Sequence, residues 1–254
     1  MIGLPRLMVA PNGARRTKSD HPALPMTLPE IVRTAGDCAA EGADGLHLHL
    51  RDAAGRHVLD AGLYREALAE LHAAVPGMAV QITTESAGLY AAPHQRTVAL
   101  ESGAGMVSAA LREMGRDTAD AAATAFYKDC HARGIAVQHI LYDAADFDLL
   151  TRLLPDEMLN DPGLQLLFVL GRYGADRDST PADLSPFLAR MDAMGLAPDW
   201  AVCAFGRGET GCLCEARRRG GKLRVGFENS LWNADGRLAR DNAARVRQVL
   251  QACG

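Results

Sequence analysis

The stretch Gly45-Leu46-His47-Leu48-His49-Leu50-Arg51-Asp52 decides the fold. Side chains alternate across a strand, so Leu46, Leu48 and Leu50 share one face while His47, His49 and Arg51 share the other. In a closed parallel barrel the leucines pack beneath helices and both imidazoles point inward near the strand's C-terminal end. The rest of the chain supplies the other strands. Apolar runs at Leu7 to Ala10, Gly45 to Leu50, Ala79 to Thr84, Gly105 to Ala110, Ala136 to Tyr142, Leu164 to Leu170, Asp199 to Phe205 and Lys222 to Phe227 each precede a helical segment. Thr27 with Glu30 makes a capping box, and Thr180-Pro181 with Asp183 repeats the helix-start signal. Gly134, Gly195 and Gly220 stand where helices stop. Eight βα units in 254 residues predict an α/β fold of the (β/α)8 TIM-barrel type, whereas a doubly wound sheet would use fewer strands and a Gly-rich first turn. No linker or composition shift divides the chain, so residues 1–254 are expected to form a single TIM-barrel domain.

Composition narrows the function classes. The chain is 48% hydrophobic and 23% charged, which suits a large core and excludes disorder. A net charge of -4 gives no electrostatic reason to bind nucleic acid or an anionic membrane. No apolar stretch approaches the roughly 18 residues of a membrane span, and Pro5 and Arg6 interrupt any signal-peptide core, so a cytoplasmic location is expected. The six cysteines are scattered without a CxxC pair and read as reduced thiols. Cys212-x-Cys214 lies early in a predicted helix with no neighbouring ligands and does not read as a metal site.

The last strand alternates like the second: Leu223, Val225 and Phe227 face the helices, leaving Arg224 and Glu228 inside. Closure sets strand 8 beside strand 1 and strand 1 beside strand 2. Glu228 is therefore expected to approach His47 and His49 across the end of strand 1, where Asn12 lies. Two imidazoles and a carboxylate are a common catalytic zinc set with an open position, and the same set holds Fe(II) or Mn(II). The competing readings are hydrogen-bonded interior histidines, and an interior ion pair of Arg224 with Asp52 or Glu85. On the third strand Gln81, Thr83 and Glu85 point inward. Residues 11–26 make a long loop on the active-site face and carry Arg15, Arg16 and Lys18.

Ala10-Pro11-Asn12-Gly13-Ala14, Thr17-Lys18, His21-Pro22, Pro25-Met26-Thr27 and the HLHLRD segment, then Val169-Leu170-Gly171, Gly206-Arg207, Gly220-Gly221, Arg224-Val225-Gly226-Phe227-Glu228 and Asn242, resemble the β-keto acid cleavage enzyme family, of the 3-keto-5-aminohexanoate-cleaving type. The resemblance spans nearly the whole chain. It implies a zinc-bearing, often homo-oligomeric TIM barrel that condenses a β-keto acid with acetyl-CoA, releasing acetoacetate and a new acyl-CoA. It places Zn2+ on His47, His49 and Glu228, and substrate contacts on Thr83, Ser86 and Ser108. Arg224 would offset the charge of the substrate carboxylate or enolate.

Departures from the pattern matter too. Asn229 stands where the family carries a catalytic acid, Gln138 replaces another acid, and Thr83-Thr84-Glu85-Ser86 replaces a glycine-containing motif. Glu85 is the inward carboxylate left to act as base. Asn12 occupies the position of a glutamate that holds a substrate ammonium, which disfavours a cationic substrate. For acyl-CoA phosphates the candidates are Gly171-Arg172, Gly206-Arg207-Gly208 and the basic residues of loop 11–26. Two alternatives stay open: a metal-dependent hydrolase or lyase of another class, although amidohydrolase barrels start their HxH on strand 1, and a non-catalytic metal-binding barrel.

Overall fold

A row of inward polar residues is useful only if the sheet closes around it, and here it does. The computed structural model describes residues 2–116, 119–171 and 178–254. Its strands are β1 (Leu7–Val9), β2 (Gly45–Leu48), β3 (Leu50–Arg51), β4 (His57–Val58), β5 (Ala79–Thr83), β6 (Met106–Ala110), β7 (Ala136–Leu141), β8 (Gln165–Leu170), β9 (Asp199–Ala204) and β10 (Lys222–Val225). Eight of them form a closed parallel barrel in the order β1-β10-β9-β8-β7-β6-β5-β2, and β3 and β4 form a separate antiparallel ribbon. The helices are α1 (Leu28–Ala40), α2 (Ala61–Ala74), α3 (Ala92–Glu101), α4 (Leu111–Met114), α5 (Asp120–Ala132), α6 (Asp146–Leu153), α7 (Asp156–Leu159), α8 (Ser185–Ala193), α9 (Glu209–Arg218) and α10 (Asn242–Cys253). This is the (β/α)8 barrel that the alternation predicts. Leu46, Leu48, Val80, Ile82, Leu223 and Val225 join the helices in one apolar cluster outside the barrel.

Two segments depart from the expected alternation. β2 ends at Leu48, because the Asp52 carboxylate accepts from the amides of Ala54 (2.9 Å) and Arg56 (2.8 Å) and folds the chain into a tight turn. Leu50 and Arg51 then pair with Val58 and His57 in the ribbon. Arg51 consequently leaves the inward row and donates to the carbonyls of Gly13 (2.9 Å) and Gly55 (2.8 Å), tying loop 11–26 to the ribbon. Phe227 lies past the end of β10. It packs with Leu24, Leu231 and Ala239, and against the His21 ring, rather than beneath a helix.

Barrel closure positions the site. β1 pairs with both β10 and β2, with Val9 opposite Val225 and Leu46, so the C-terminal ends of β2 and β10 are one strand apart. Gly226, at φ +140, passes so near Ala10 that a Cβ would stand 2.4 Å from its carbonyl oxygen. Only glycine fits there. The buried Asn242 side chain clamps the same junction, donating to the Pro11 carbonyl (3.1 Å) and accepting from the Phe227 amide (2.9 Å).

The cysteines correct one expectation. Cys214 on α9 and Cys253 on α10 are disulfide-bonded, so not all six are reduced thiols. The two helices pack together and bring residues 39 apart in sequence to a Cα separation of 4.6 Å, a proximity that spacing alone does not reveal. Cys38, Cys130, Cys203 and Cys212 are free and buried. Among the described residues no helix is long and apolar enough to cross a membrane.

Candidate active site

His47, on β2, and His49, just after it, aim their rings into the barrel with the two Nε2 atoms 3.1 Å apart. Glu228 reaches them from beyond β10, its Oε2 lying 3.8 Å from His47 Nε2 and 3.5 Å from His49 Nε2. Among the described residues these three form a group whose ligand atoms all lie within 4.8 Å of one another, and all three are buried. Gly13 makes room for the glutamate: at φ +62, a Cβ there would fall 2.6 Å from Glu228 Cγ. Arg16 steadies the same turn by donating to the Phe227 carbonyl.

The protonation states suit a cation. Burial holds both imidazoles well below their usual pKa, with the Arg224 charge reinforcing it at His47 and the His47, His57, Arg224 and Arg51 charges at His49. Both rings are neutral at pH 7 and offer lone pairs. A buried relay fixes the His47 tautomer. Gln138 presents its amide nitrogen to the Leu166 carbonyl (3.4 Å), so its oxygen accepts from Gln81 Nε2 (3.0 Å). Gln81 must then turn its oxygen to His47 Nδ1 (2.8 Å), which carries the hydrogen and leaves Nε2 free to ligate. Glu228 is pushed upward in pKa by burial, opposed by Arg224, Arg16 and Arg51. A divalent cation between the three would replace charge that burial makes costly. The donor set fits zinc, Fe(II) or Mn(II).

These residues line a cavity of about 290 Å³ at the barrel's C-terminal mouth, together with Arg15, Thr83, Glu85, Arg112, Glu113, Tyr142 and Arg224. Arg224 donates to Glu228, and Asp52 takes Arg56 (2.8 Å). Glu85 stands with Oε2 4.0 Å from His49 Nε2. Burial raises its pKa to about 7, helped by the Glu228 and Glu113 charges and opposed by Arg15 and Arg224. Thr83 Oγ accepts from the Glu85 amide (2.9 Å). Asn229 is buried and donates to the Arg224 carbonyl (3.2 Å).

Ser86, Ser108 and Asn12 are not among the residues that line the cavity. Ser86 gives its amide (2.9 Å) and hydroxyl (2.8 Å) to Glu113. Ser108 is buried in β6 opposite Thr83, and its carbonyl accepts from the Thr84 hydroxyl (2.7 Å). Asn12 donates to the carbonyls of Pro25 (3.1 Å) and His49 (3.3 Å), bridging loop 11–26 to the end of β2. Of the basic candidates, Arg15 lines the cavity, Lys18 pairs with Glu30 (2.8 Å) and Arg207 stacks on Trp232 (4.0 Å). Arg172 lies outside the described residues.

Sequence reasoning missed Glu113 and the relay role of Gln81. Glu113 also accepts from Gln95 (2.8 Å), so three hydrogen bonds fix its carboxylate in the wall. Its partners come from 18 to 27 residues away, and no local spacing announces them. Gln81 was detectable, because an inward amide beside a metal-type histidine is a ready acceptor for the non-ligating ring nitrogen.

The fold is a TIM barrel whose buried polar groups cluster where the barrel strands end, two histidines and a glutamate among them, the place where such barrels carry their active sites. A family model described as beta-keto acid cleavage enzyme matches residues 6–254, and the chain belongs to that family. The 3-keto-5-aminohexanoate cleavage enzyme of Fusobacterium nucleatum subsp. nucleatum is 25% identical over 244 residues, covering 94% of this chain and 87% of that protein. The 3,5-dioxohexanoate:acetyl-CoA acetone transferase of Paraburkholderia graminis is 26% identical over 275 residues, covering 95% and 87%. The apo structure of ObcA is similar with a TM-score of 0.67 at 16% identity, over 91% of this chain and 61% of that one. The chain thus spans about three-fifths of ObcA, and that likeness concerns the fold.

Proposed function

We propose that the chain is a zinc-dependent β-keto acid cleavage enzyme, which converts R–CO–CH2–COO⁻ and acetyl-CoA into acetoacetate and R–CO–S–CoA. The CH2–COO⁻ unit leaves the R–CO group and joins the acetyl group, the CoA sulfur passes to R–CO, and nothing is oxidised or reduced. The observation that carries this reading is the convergence of His47, His49 and Glu228 beside Arg224 on one cavity. Zinc held there would supply Lewis acidity, polarising the substrate ketone and stabilising enolate charge.

The chain's own residues divide the remaining work. Arg224 offers a planar fork of donors, one arm on Glu228 and the others suited to a substrate carboxylate. Glu85 takes a proton from the methylene between the two carbonyl groups, and the resulting enolate carbon attacks the acetyl thioester. The CoA thiolate set free attacks the original ketone, the bond to the transferred unit breaks, and the acetoacetate enolate recovers its proton from Glu85. A carboxylate raised to about 7 is well matched to both transfers near neutral pH. Thr83 presents a hydroxyl to the carbonyl oxygen, and Asn12, Ser86 and Ser108, the other expected substrate contacts, brace the segments around it through their own hydrogen bonds and strand pairing.

The test is purified protein with zinc, acetyl-CoA and a panel of β-keto acids. Acetoacetate formation that requires acetyl-CoA is expected. Product formed without CoA would point to the hydrolase or lyase class, and binding without turnover to a non-catalytic barrel.

A further inference from the structure

The cavity is electrically two-sided, and barrel order makes it so. In the closed sequence of strands, β5, β2, β1 and β10 are contiguous, and they or their ends supply Thr83, Glu85, His47, His49, Arg224 and Glu228. The rest of the ring is β6, whose following segment brings Arg112, Glu113 and Arg116 to the cavity, and the arc β7, β8 and β9. The inward residues of this arc at the cavity are Ile140, Leu167, Val169 and Cys203, continued at the mouth by Tyr142 and Phe205. These six pack into one apolar cluster inside the barrel. No ionised group is among them: the buried Cys203 thiol is pushed up to about 12 by desolvation, and burial pushes the Tyr142 phenol up as well.

Among the described residues the cations that line this cavity besides Arg224 are Arg15, Arg112 and Arg116. Arg112 donates to Asp146 (2.7 Å) and pairs with Asp143, which offsets its charge. Arg15 and Arg116 belong to the connecting segments at the barrel mouth. Arg224 lies on the strand beside β9, so a substrate with its carboxylate there can lay its acyl substituent along the apolar arc. Among the described residues this apolar cluster holds no carboxylate or cation, so an ammonium or second carboxylate buried within it would lose its hydration without gaining a partner there, whereas each methylene gains.

The geometry points to a β-keto acid whose acyl substituent is uncharged and apolar, seated against Ile140, Leu167, Val169 and Cys203. This rests on the transferase reading above and adds the substrate class to it. The two relatives named above act, by their names, on amino-substituted and dioxo acids, so family membership leaves the substituent open.

The experiment measures kcat/KM for acetoacetate release from 3-oxopentanoate, 3-oxohexanoate and 3-oxooctanoate, against 3-oxohexanedioate and 3-oxo-5-aminohexanoate. In parallel, calorimetry ranks the binding of 3-hydroxyhexanoate and 3-hydroxyhexanedioate, which lack the ketone and are not cleaved. The expected result is a rise of about fourfold per added methylene until the cavity is full, with the charged acids at least about 100-fold poorer than 3-oxohexanoate. Val169→Arg should narrow or reverse the preference against the dicarboxylate. If that variant does not fold, the wild-type series decides. A preference for either charged acid overturns the inference while leaving the transferase reading intact. Failure of every keto acid to yield acetoacetate removes the transferase reading, and the binding order of the hydroxy acids then decides the inference by itself.

Discussion

His47 would ligate a metal through Nε2 only with its hydrogen on Nδ1, and the Gln81 oxygen 2.8 Å away holds it there. Gln81→Leu removes that acceptor without touching a ligand. Zinc affinity measured by chelator competition should fall about 10- to 100-fold, the usual cost of losing such a support. Unchanged affinity would show that the relay does not act on the metal site. Glu85 makes a different prediction, because the proposed mechanism gives it the proton transfer. Glu85→Gln should lower kcat by about 10²- to 10⁴-fold with metal content unaltered. Undiminished turnover would take the base role away from Glu85. The inward positions of His47, Thr83 and Arg224 were legible because a two-residue period leaves no choice of face within a strand, whereas Glu85 and Glu228, just past the ends of β5 and β10, reach the cavity from the turns that follow. The seat of Ser86 on Glu113 was not legible, since it depends on how β5 and the segment after β6 are registered.

Elements show where periodic reading stops working. Alternation holds in Gly45–Leu48, Ala79–Thr83 and Lys222–Val225 as long as the strand lasts. It fails at Arg51 and Phe227, because strand ends are set by turns and tertiary clamps rather than by hydrophobic period. The Asp52-x-x-Gly55 turn was the available local signal for the ribbon. Asn242, at the start of α10, closes the first strand's end against the last. Asn242→Ala leaves a buried carbonyl and a buried amide without that partner, and about 2 to 4 kcal/mol of stability should be lost in a denaturant titration. Zinc affinity should fall with it, since Glu228 directly follows the clamped Phe227 amide. A loss below about 0.5 kcal/mol would mean that the clamp is dispensable.

The whole molecule carries four histidines that burial keeps neutral: His47, His49, His57 and His139. His139 is the cleanest case, its pKa lowered to about 3 by desolvation alone. In the unfolded chain the same ring takes a proton near pH 6.5, so folding stability is fully present above that value and is lost as pH falls toward about 3. Each such group adds about 1.4 kcal/mol per pH unit to the acid slope within its window. His139→Leu should make the slope shallower below pH 6.5 in metal-free protein, as followed by thermal unfolding. An identical slope would mean that His139 is protonated inside the fold. Barrel closure was legible from eight repeated units, yet what closure achieves is the meeting of residues 47, 49 and 228, and that meeting can be weighed directly. The decisive measurement is metal content of the purified wild-type chain beside His47→Ala and Glu228→Ala variants shown by circular dichroism to be folded. About one tightly held divalent ion per wild-type chain, lost from both variants, is expected. A folded wild-type chain that acquires no ion from zinc, iron or manganese, or variants that retain it fully, would contradict the central claim.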